Sequence, residues 1–267
     1  MKILFLGDIV GRPGREAIRQ LLPRIKEEED IDFSIANAEN SAGGSGVTEE
    51  IINQLLGTGL DCLTSGDHIW RKKEVYKVIN NQPRLLKPAN YPEITPGKGS
   101  GIFLSESGIK IGVLNLQGRV FMEALDCPFR SAMREIEKLL KETPLIVVDF
   151  HAEATSEKEA MGWYLDGTVS AVIGTHTHVP TADDKILPKG TAYISDVGMV
   201  GPRYSILGRN PAQIIERFIT QMPTRFDIAD GEVELQGVVV DIDEHNGKAN
   251  SIKRISRSIN FLDLEKR

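Results

Sequence analysis

The sequence predicts a layered α/β fold, and three observations predict it. Short apolar runs alternate with stretches of helical length, the strand–loop–helix rhythm of an α/β domain. One of those runs, Pro144-Leu145-Ile146-Val147-Val148-Asp149-Phe150, is nearly continuous in apolar residues, as strands buried on both faces are. The ends of the runs carry metal-capable side chains: Asp8, Glu39-Asn40, Asp67-His68, His151 and the pair His176/His178. In open α/β sheets ligands sit beyond the carboxyl ends of the strands. No repeat, low-complexity tract or linker interrupts the 267 residues, so 1–267 is expected to form one domain, long enough to bury a core without staples.

In chain order, Lys2 to Leu6 is an apolar run closed by Gly7-Asp8 and predicts the first strand. The glycine-rich stretch from Gly7 to Gly14 predicts a tight turn into a helix over about residues 15–29. Its spacing matches neither the dinucleotide fingerprint nor the P-loop. Phe33 to Ala38 predicts a second strand, followed by Glu39-Asn40 and the loop Ser41 to Gly46. Thr48 with Glu49-Glu50 behind it reads as a helix N-cap with acids in the first turn. Leu60 to Ser65 predicts a strand ending in Gly66-Asp67-His68, and about 72–80 a helix.

The segment from Leu86 to Gly99 is rich in Pro and Gly and reads as loop. Strands are expected at Gly101 to Leu104 and Ile109 to Leu116, then an irregular segment from Gln117 to Phe129. Phe121 and Met122 in it suit either a flap at a partner or substrate surface or a packed loop. Met133, Ile136, Leu139 and Leu140 give helical spacing over Ser131 to Lys141. After the strand that ends at His151 come a helix over about 154–164 and a strand from Thr168 to Ile173. That strand leads into Gly174-Thr175-His176-Thr177-His178-Val179, where i and i+2 of an extended segment share one side and deliver two imidazoles to one point. Further expectations are a strand from Ala192 to Gly198 and a helix over about 210–221. The strands Gln236 to Asp243 and Ala249 to Ser258 are joined at His245-Asn246-Gly247 as a hairpin.

Composition narrows the function. The formal net charge is -6, and the pI is about 5.5. Both argue against bulk nucleic-acid binding through a basic surface. No apolar run approaches a membrane span, and the N-terminal stretch is too short for a signal peptide, so no membrane association is expected. Cys62 and Cys127 form no CxxC and read as free thiols of a cytoplasmic protein.

Four of the five histidines fall at the strand ends. The donors are oxygen and nitrogen, without thiolate, which favours Mn, Fe, Zn or Co. There are too many for one tetrahedral ion and about enough for two. Ions roughly 3.5–4 Å apart need a shared carboxylate, clamp phosphoryl groups and convert a bridging water into hydroxide.

The motifs Gly7-Asp8, Asn37-Ala38-Glu39-Asn40, Gly66-Asp67-His68, the run from Asp149 through His151 to Lys158, and Gly174 to Val179 together resemble the calcineurin-like metallophosphoesterases. Within them the likeness is to the YmdB-like bacterial phosphodiesterases. Gln117-Gly118-Arg119 and Ser195 to Met199 extend it essentially end to end. The resemblance implies two facing β-sheets flanked by helices, a four-layer α/β/β/α arrangement. It implies that Asp8, Glu39, Asn40 and His178 hold one metal and Glu39, Asp67, His151 and His176 the other, with Glu39 bridging. His68 would be the general acid. The implied metals are Fe or Mn first, then Zn or Co. The implied reaction is hydrolysis of 2',3'-cyclic nucleotides at the 2' oxygen by a metal-bridging hydroxide. The resemblance also hints at a homo-oligomer.

Two departures stand out. Asp67 occupies a position where the family usually has Asn; it can ligate, but it adds a negative charge and removes an amide donor, which implies tighter metal binding and softer Lewis acidity. Asp8 is followed by Ile9-Val10 and not by the histidine of many relatives, and Asn40 fills that gap. Two alternatives to the diesterase stand beside it: a broad phosphomonoesterase on the same metals, and a regulatory or RNA-associated protein with a weakly active site.

Overall fold

Alternation along the strands decides the layering of the computed structural model, which describes residues 1–260; the remainder of the expected domain, 261–267, lies outside the described residues. In chain order the elements are β1 (Lys2–Leu6), β2 (Asp8–Ile9), α1 (Gly11–Glu29), β3 (Phe33–Asn37), α2 (Glu49–Gly57), β4 (Cys62–Thr64), α3 (Val75–Val78), β5 (Ser100–Leu104), β6 (Lys110–Gln117) and α4 (Pro128–Leu139). They continue with β7 (Ile146–His151), α5 (Thr155–Leu165), β8 (Ala171–Thr175), β9 (Lys185–Ile186), β10 (Ala192–Ile194), β11 (Met199–Pro202), α6 (Pro211–Thr220), β12 (Glu232–Ile242) and β13 (Ala249–Asn260).

Two sheets result, one seven-stranded in the order β2-β11-β12-β1-β3-β4 with β13 also on β12, the other six-stranded in the order β5-β6-β7-β8-β10-β9. Ile3 and Phe5 of β1 face Val113, Val147 and Ile173 of the second sheet in one buried cluster. Their neighbours Leu4 and Leu6 point the other way, onto Ala17, Ile18 and Leu22 of α1. The second sheet repeats the pattern: Val148, Phe150 and Val172 turn outward onto Ile136 of α4 and Met161 of α5. Period-two side chains with both faces apolar require a cover on each face. The α/β/β/α layering is therefore the one expected. No helix among the described residues is long and apolar enough to cross a membrane.

Several boundaries differ from the sequence reading. α1 begins at Gly11, four residues earlier, because Pro13 is tolerated in a first turn that needs no N–H there. The helix expected over 72–80 breaks into one turn, Val75–Val78, between two short 3-10 turns, Ile69–Arg71 and Ile79–Asn81. Only Ile69, Val75 and Ile79 of this stretch bury a side chain, too few to anchor a continuous helix. The strand expected from Ala192 to Gly198 stops at Ile194, and the chain crosses to the other sheet as β11, which pairs with both β2 and β12. The expected strand from Thr168 begins at Ala171 and runs on to Thr175.

Candidate metal centre

All five predicted strand ends converge. Gly7 interrupts the first strand, and its missing side chain lets the backbone pass against the Gly198 carbonyl. Asp8 then pairs beside Met199 in β2, fully buried. Glu39 and Asn40 follow β3 in a turn in which the Glu39 N–H donates to Asn37 Oδ1 at 3.1 Å. Gly66 precedes Asp67-His68 after β4; a Cβ there would collide with the His151 ring and the Glu39 carboxylate, so only glycine lets this loop approach. His151 is the last residue of β7 and is fully buried.

His176 and His178 correct the reading of an extended pair. Both have left-handed backbone, with φ of 98° and 63°, and they serve different groups. Residues in that region cost about 1–3 kcal/mol each and persist where the surroundings over-determine them.

The first group is Glu39, Asp67, His151 and His176, whose donor atoms all lie within 4.8 Å of one another. His151 Nε2 is 3.2 Å from Glu39 Oε1 and 3.2 Å from Asp67 Oδ1. It is 3.0 Å from His176 Nδ1, and His176 Nδ1 is 3.6 Å from Asp67 Oδ1. A tetrahedral ion with bonds of about 2.0–2.2 Å has ligands roughly 3.3–3.6 Å apart. The group fits such an ion with small adjustments.

A second group adjoins it. Asp8 Oδ1 is 3.7 Å from His178 Nε2, and the Asn40 amide nitrogen lies 3.4 Å from Asp8 Oδ1, 3.2 Å from His178 Nε2 and 3.1 Å from Glu39 Oε1. Ligation requires the Asn40 carbonyl in that place, reached by turning the amide over; its NH2 would then face His68 Nδ1, which now lies 2.8 Å from Asn40 Oδ1. Glu39 Oε1 faces both groups, as a shared ligand must, while Oε2 accepts the His68 N–H at 3.0 Å.

Charge follows the same geometry. Burial would raise the Asp8 carboxyl, but the neighbouring His178 outweighs it and holds Asp8 below the ordinary carboxylate range. Burial likewise opposes the hydrogen bond and charge of His151 at Asp67, and the imidazole again prevails. His151 is raised, against burial, chiefly by Glu39 and Asp67, and His178, against burial, by Asp8. His176 is lowered by burial and by the charge of His151. Protons on His151 and His178 thus stand where cations would offset the carboxylates.

Beneath the first group lies a layer that sequence reasoning missed. Thr175 Oγ1 is 3.0 Å from His151 Nδ1 and donates to Asp149 Oδ1 at 2.7 Å. Asn37 Nδ2 reaches Asp149 Oδ2 at 3.2 Å. Together they fix the ring that presents Nε2 upward. Burial pushes the Asp149 carboxyl up to about 7. The signal was available only as register, because Thr175 pairs with His151 across β7 and β8.

A cavity of about 530 Å³ opens on the centre, floored by Glu39, Asn40, His68 and the two histidines and walled by Val179, Leu207 and Phe218. On the other side a cleft of about 400 Å³ holds Asp67, Arg71 and the Phe121 to Glu123 segment. Phe121 is neither core nor packed loop: it is 89% exposed at the rim. His245, expected to be a plain turn residue, sits in the β12–β13 turn with its N–H on Asp243.

A Bacillus subtilis protein named 2',3'-cyclic-nucleotide 2'-phosphodiesterase is 52% identical over 255 residues, covering 96% of each chain. Among solved structures, a novel phosphatase from Mycoplasma pneumoniae superposes with a TM-score of 0.90 at 35% identity, over 100% of this chain and 96% of that one. The calcineurin-like phosphoesterase YfkN from Bacillus subtilis shares the fold at 12% identity, with a TM-score of 0.54 over 97% of this chain and 90% of that one. The family described as YmdB-like protein matches residues 4–255, and the chain belongs to that family.

Proposed function

We infer that the chain is a dimetal phosphodiesterase that opens 2',3'-cyclic nucleotides at the 2' oxygen. The observation that carries this reading is the set of oxygen and imidazole donors from five strand ends, arranged as two groups that share Glu39. The name borne by the Bacillus subtilis relative supports the substrate class. Glu39, Asp67, His151 and His176 would hold one ion, and Asp8, Glu39, Asn40 and His178 the other. Oxygen and nitrogen donors without thiolate suit Mn, Fe, Zn or Co, and the family resemblance puts Fe or Mn first. When bound, the ions supply Lewis acidity at the phosphoryl oxygens and a water deprotonated at neutral pH as nucleophile.

The chain's own residues do the rest. His68 lines the cavity with its ring held through Nδ1 by Asn40, which leaves Nε2 to protonate the departing 2' oxygen. Val179, Leu207 and Phe218 offer an apolar wall on which the faces of a nucleobase can lie beside the polar floor.

The test is elemental analysis of protein never exposed to chelator, paired with hydrolysis of 2',3'-cyclic AMP and bis-p-nitrophenyl phosphate with and without added Mn. About two transition-metal ions per chain are expected, with Mn-dependent release of the 3'-monophosphate. A chain that loads no ion and turns over neither diester overturns the reading.

A further inference from the structure

We propose that Asp196, neutralised by Lys158, is the positioning residue that sets Asp8, His176 and His178 together. It rests on the ligand assignment above. Asp196 and Lys158 are buried, and Lys158 Nζ donates to Asp196 Oδ2 at 2.9 Å. Neither belongs to the donor groups, so the dimetal reading leaves a buried ion pair without a role.

What the pair does follows from its other contacts. Asp196 Oδ2 accepts both the N–H of Thr177, at 3.0 Å, and its hydroxyl, at 2.7 Å. Thr177 is the residue between the two left-handed histidines. Asp196 Oδ1 accepts the Gly198 N–H at 2.8 Å. The Gly198 carbonyl accepts the N–H of Asp8 at 3.2 Å, and Asp8 Oδ2 accepts the N–H of His176 at 3.2 Å.

These bonds close a ring: Asp196 to Thr177, along the chain to His176, across to Asp8, across to Gly198, and back to Asp196. One carboxylate thereby fixes the backbone from which three donors project. A backbone in a sparsely populated region does not hold itself, and the ring is what over-determines it. Lys158 supplies the partner charge that a buried carboxylate in this position needs. Thr181 Oγ1 anchors the Asp196 N–H at 3.0 Å, so the ring is tied to the chain behind it.

The experiment titrates metal-free protein with Mn2+ by calorimetry and follows folding by circular dichroism. The chains compared are the wild type, Asp196→Asn, Thr177→Val and Thr177→Ser. Asp196→Asn and Thr177→Val are expected to bind Mn2+ about 10- to 100-fold more weakly while keeping the native spectrum, the usual cost of losing a group that orients a ligand. Thr177→Ser, which restores the hydroxyl, is expected to match the wild type. A merely structural role would lower the melting temperature and leave the affinity unchanged; that result, or equal losses in the Val and Ser variants, overturns the proposal. If Asp196→Asn does not fold, the Thr177 pair decides alone. Failure of the wild type to bind Mn2+ overturns the dimetal reading instead, so the two failures are distinct.

Discussion

Glu39 Oε1 lies 3.2 Å from His151 Nε2, a carboxylate of one sheet meeting an imidazole of the other with both side chains buried. The same oxygen faces the Asn40 amide of the second group. Glu39→Ala is therefore expected to lower the affinity for both ions, not one. Metal analysis after dialysis should show less than one ion per chain; a variant that keeps a full complement would rule out a shared ligand.

His68 touches Asn40 and lines the cavity but contributes no atom to the four-donor group. His68→Ala is expected to retain its metal and lose about 10²–10⁴-fold in kcat. The loss should be smaller for a diester with a p-nitrophenolate leaving group, which departs without protonation. Equal losses on both substrates would take the general-acid role away from His68.

Asp67 adds a carboxylate where an amide would ligate with less charge. Asp67→Asn is expected to weaken metal binding and, at saturating metal, to raise turnover, because the ions then keep more of their charge for the phosphoryl group. Calorimetry and steady-state kinetics on the same preparations check both halves; tighter binding in the variant would refute the charge argument.

The raised His151 and His178 give a pH dependence with a definite sign. A folded value above the unfolded one contributes stability that is present below the ordinary histidine value, about 6.5, and is lost as pH rises through the raised one. Asp149, pushed up to about 7, adds to the loss above the ordinary carboxylate range. The lowered His176 opposes both. Metal-free protein is therefore expected to melt progressively lower as pH rises above neutral, whereas the loaded protein should not. Loading near pH 7 should also release protons, measurable as a buffer-dependent binding enthalpy.

Phe218 stands 71% exposed on the wall of the larger cavity. Base stacking on an aromatic ring is worth about 1–3 kcal/mol. Phe218→Ala should raise KM for 2',3'-cyclic AMP by about tenfold or more, with kcat little changed. Methyl ribofuranoside 2,3-cyclic phosphate, which has no base, should not discriminate between the two enzymes.

Where chemistry is local, the sequence reading picked out residues that the structure brings together. Asp8, Glu39, Asp67 and His151 each also suit a cap or a turn, and it is their recurrence at the ends of successive apolar runs that points to a common site. The reading failed where position depends on remote partners. His176 and His178 look like an extended pair until Asp8 and Asp196 bond the backbone between them. β11 was hidden because Met199-Val200-Gly201-Pro202 is too short and too rich in breakers to read as a strand, and it exists through pairing with β2 and β12. The helix expected over 72–80 breaks up because only Val75 and Ile79 of it bury a side chain. Asp149 and Thr175 needed the register between β7 and β8, which no single stretch of chain contains.

The division of donors between the sheets has one more consequence. Asp8, Glu39, Asn40 and Asp67 follow strands of the seven-stranded sheet, and His151, His176 and His178 end or follow strands of the six-stranded one. In the proposed assignment each sheet alone would supply only part of the coordination sphere, oxygens and an amide on one side, imidazoles on the other. A slip of one sheet past the other by a single residue, about 3.3 Å, would part every pair that now meets across the seam. In the dimetal reading proposed above, ion occupancy is thus a gauge of alignment between two layers that also meet through the Phe33–Phe103 ring pair and the Asn37–Asp149 hydrogen bond, and the ions would act as rivets through that seam.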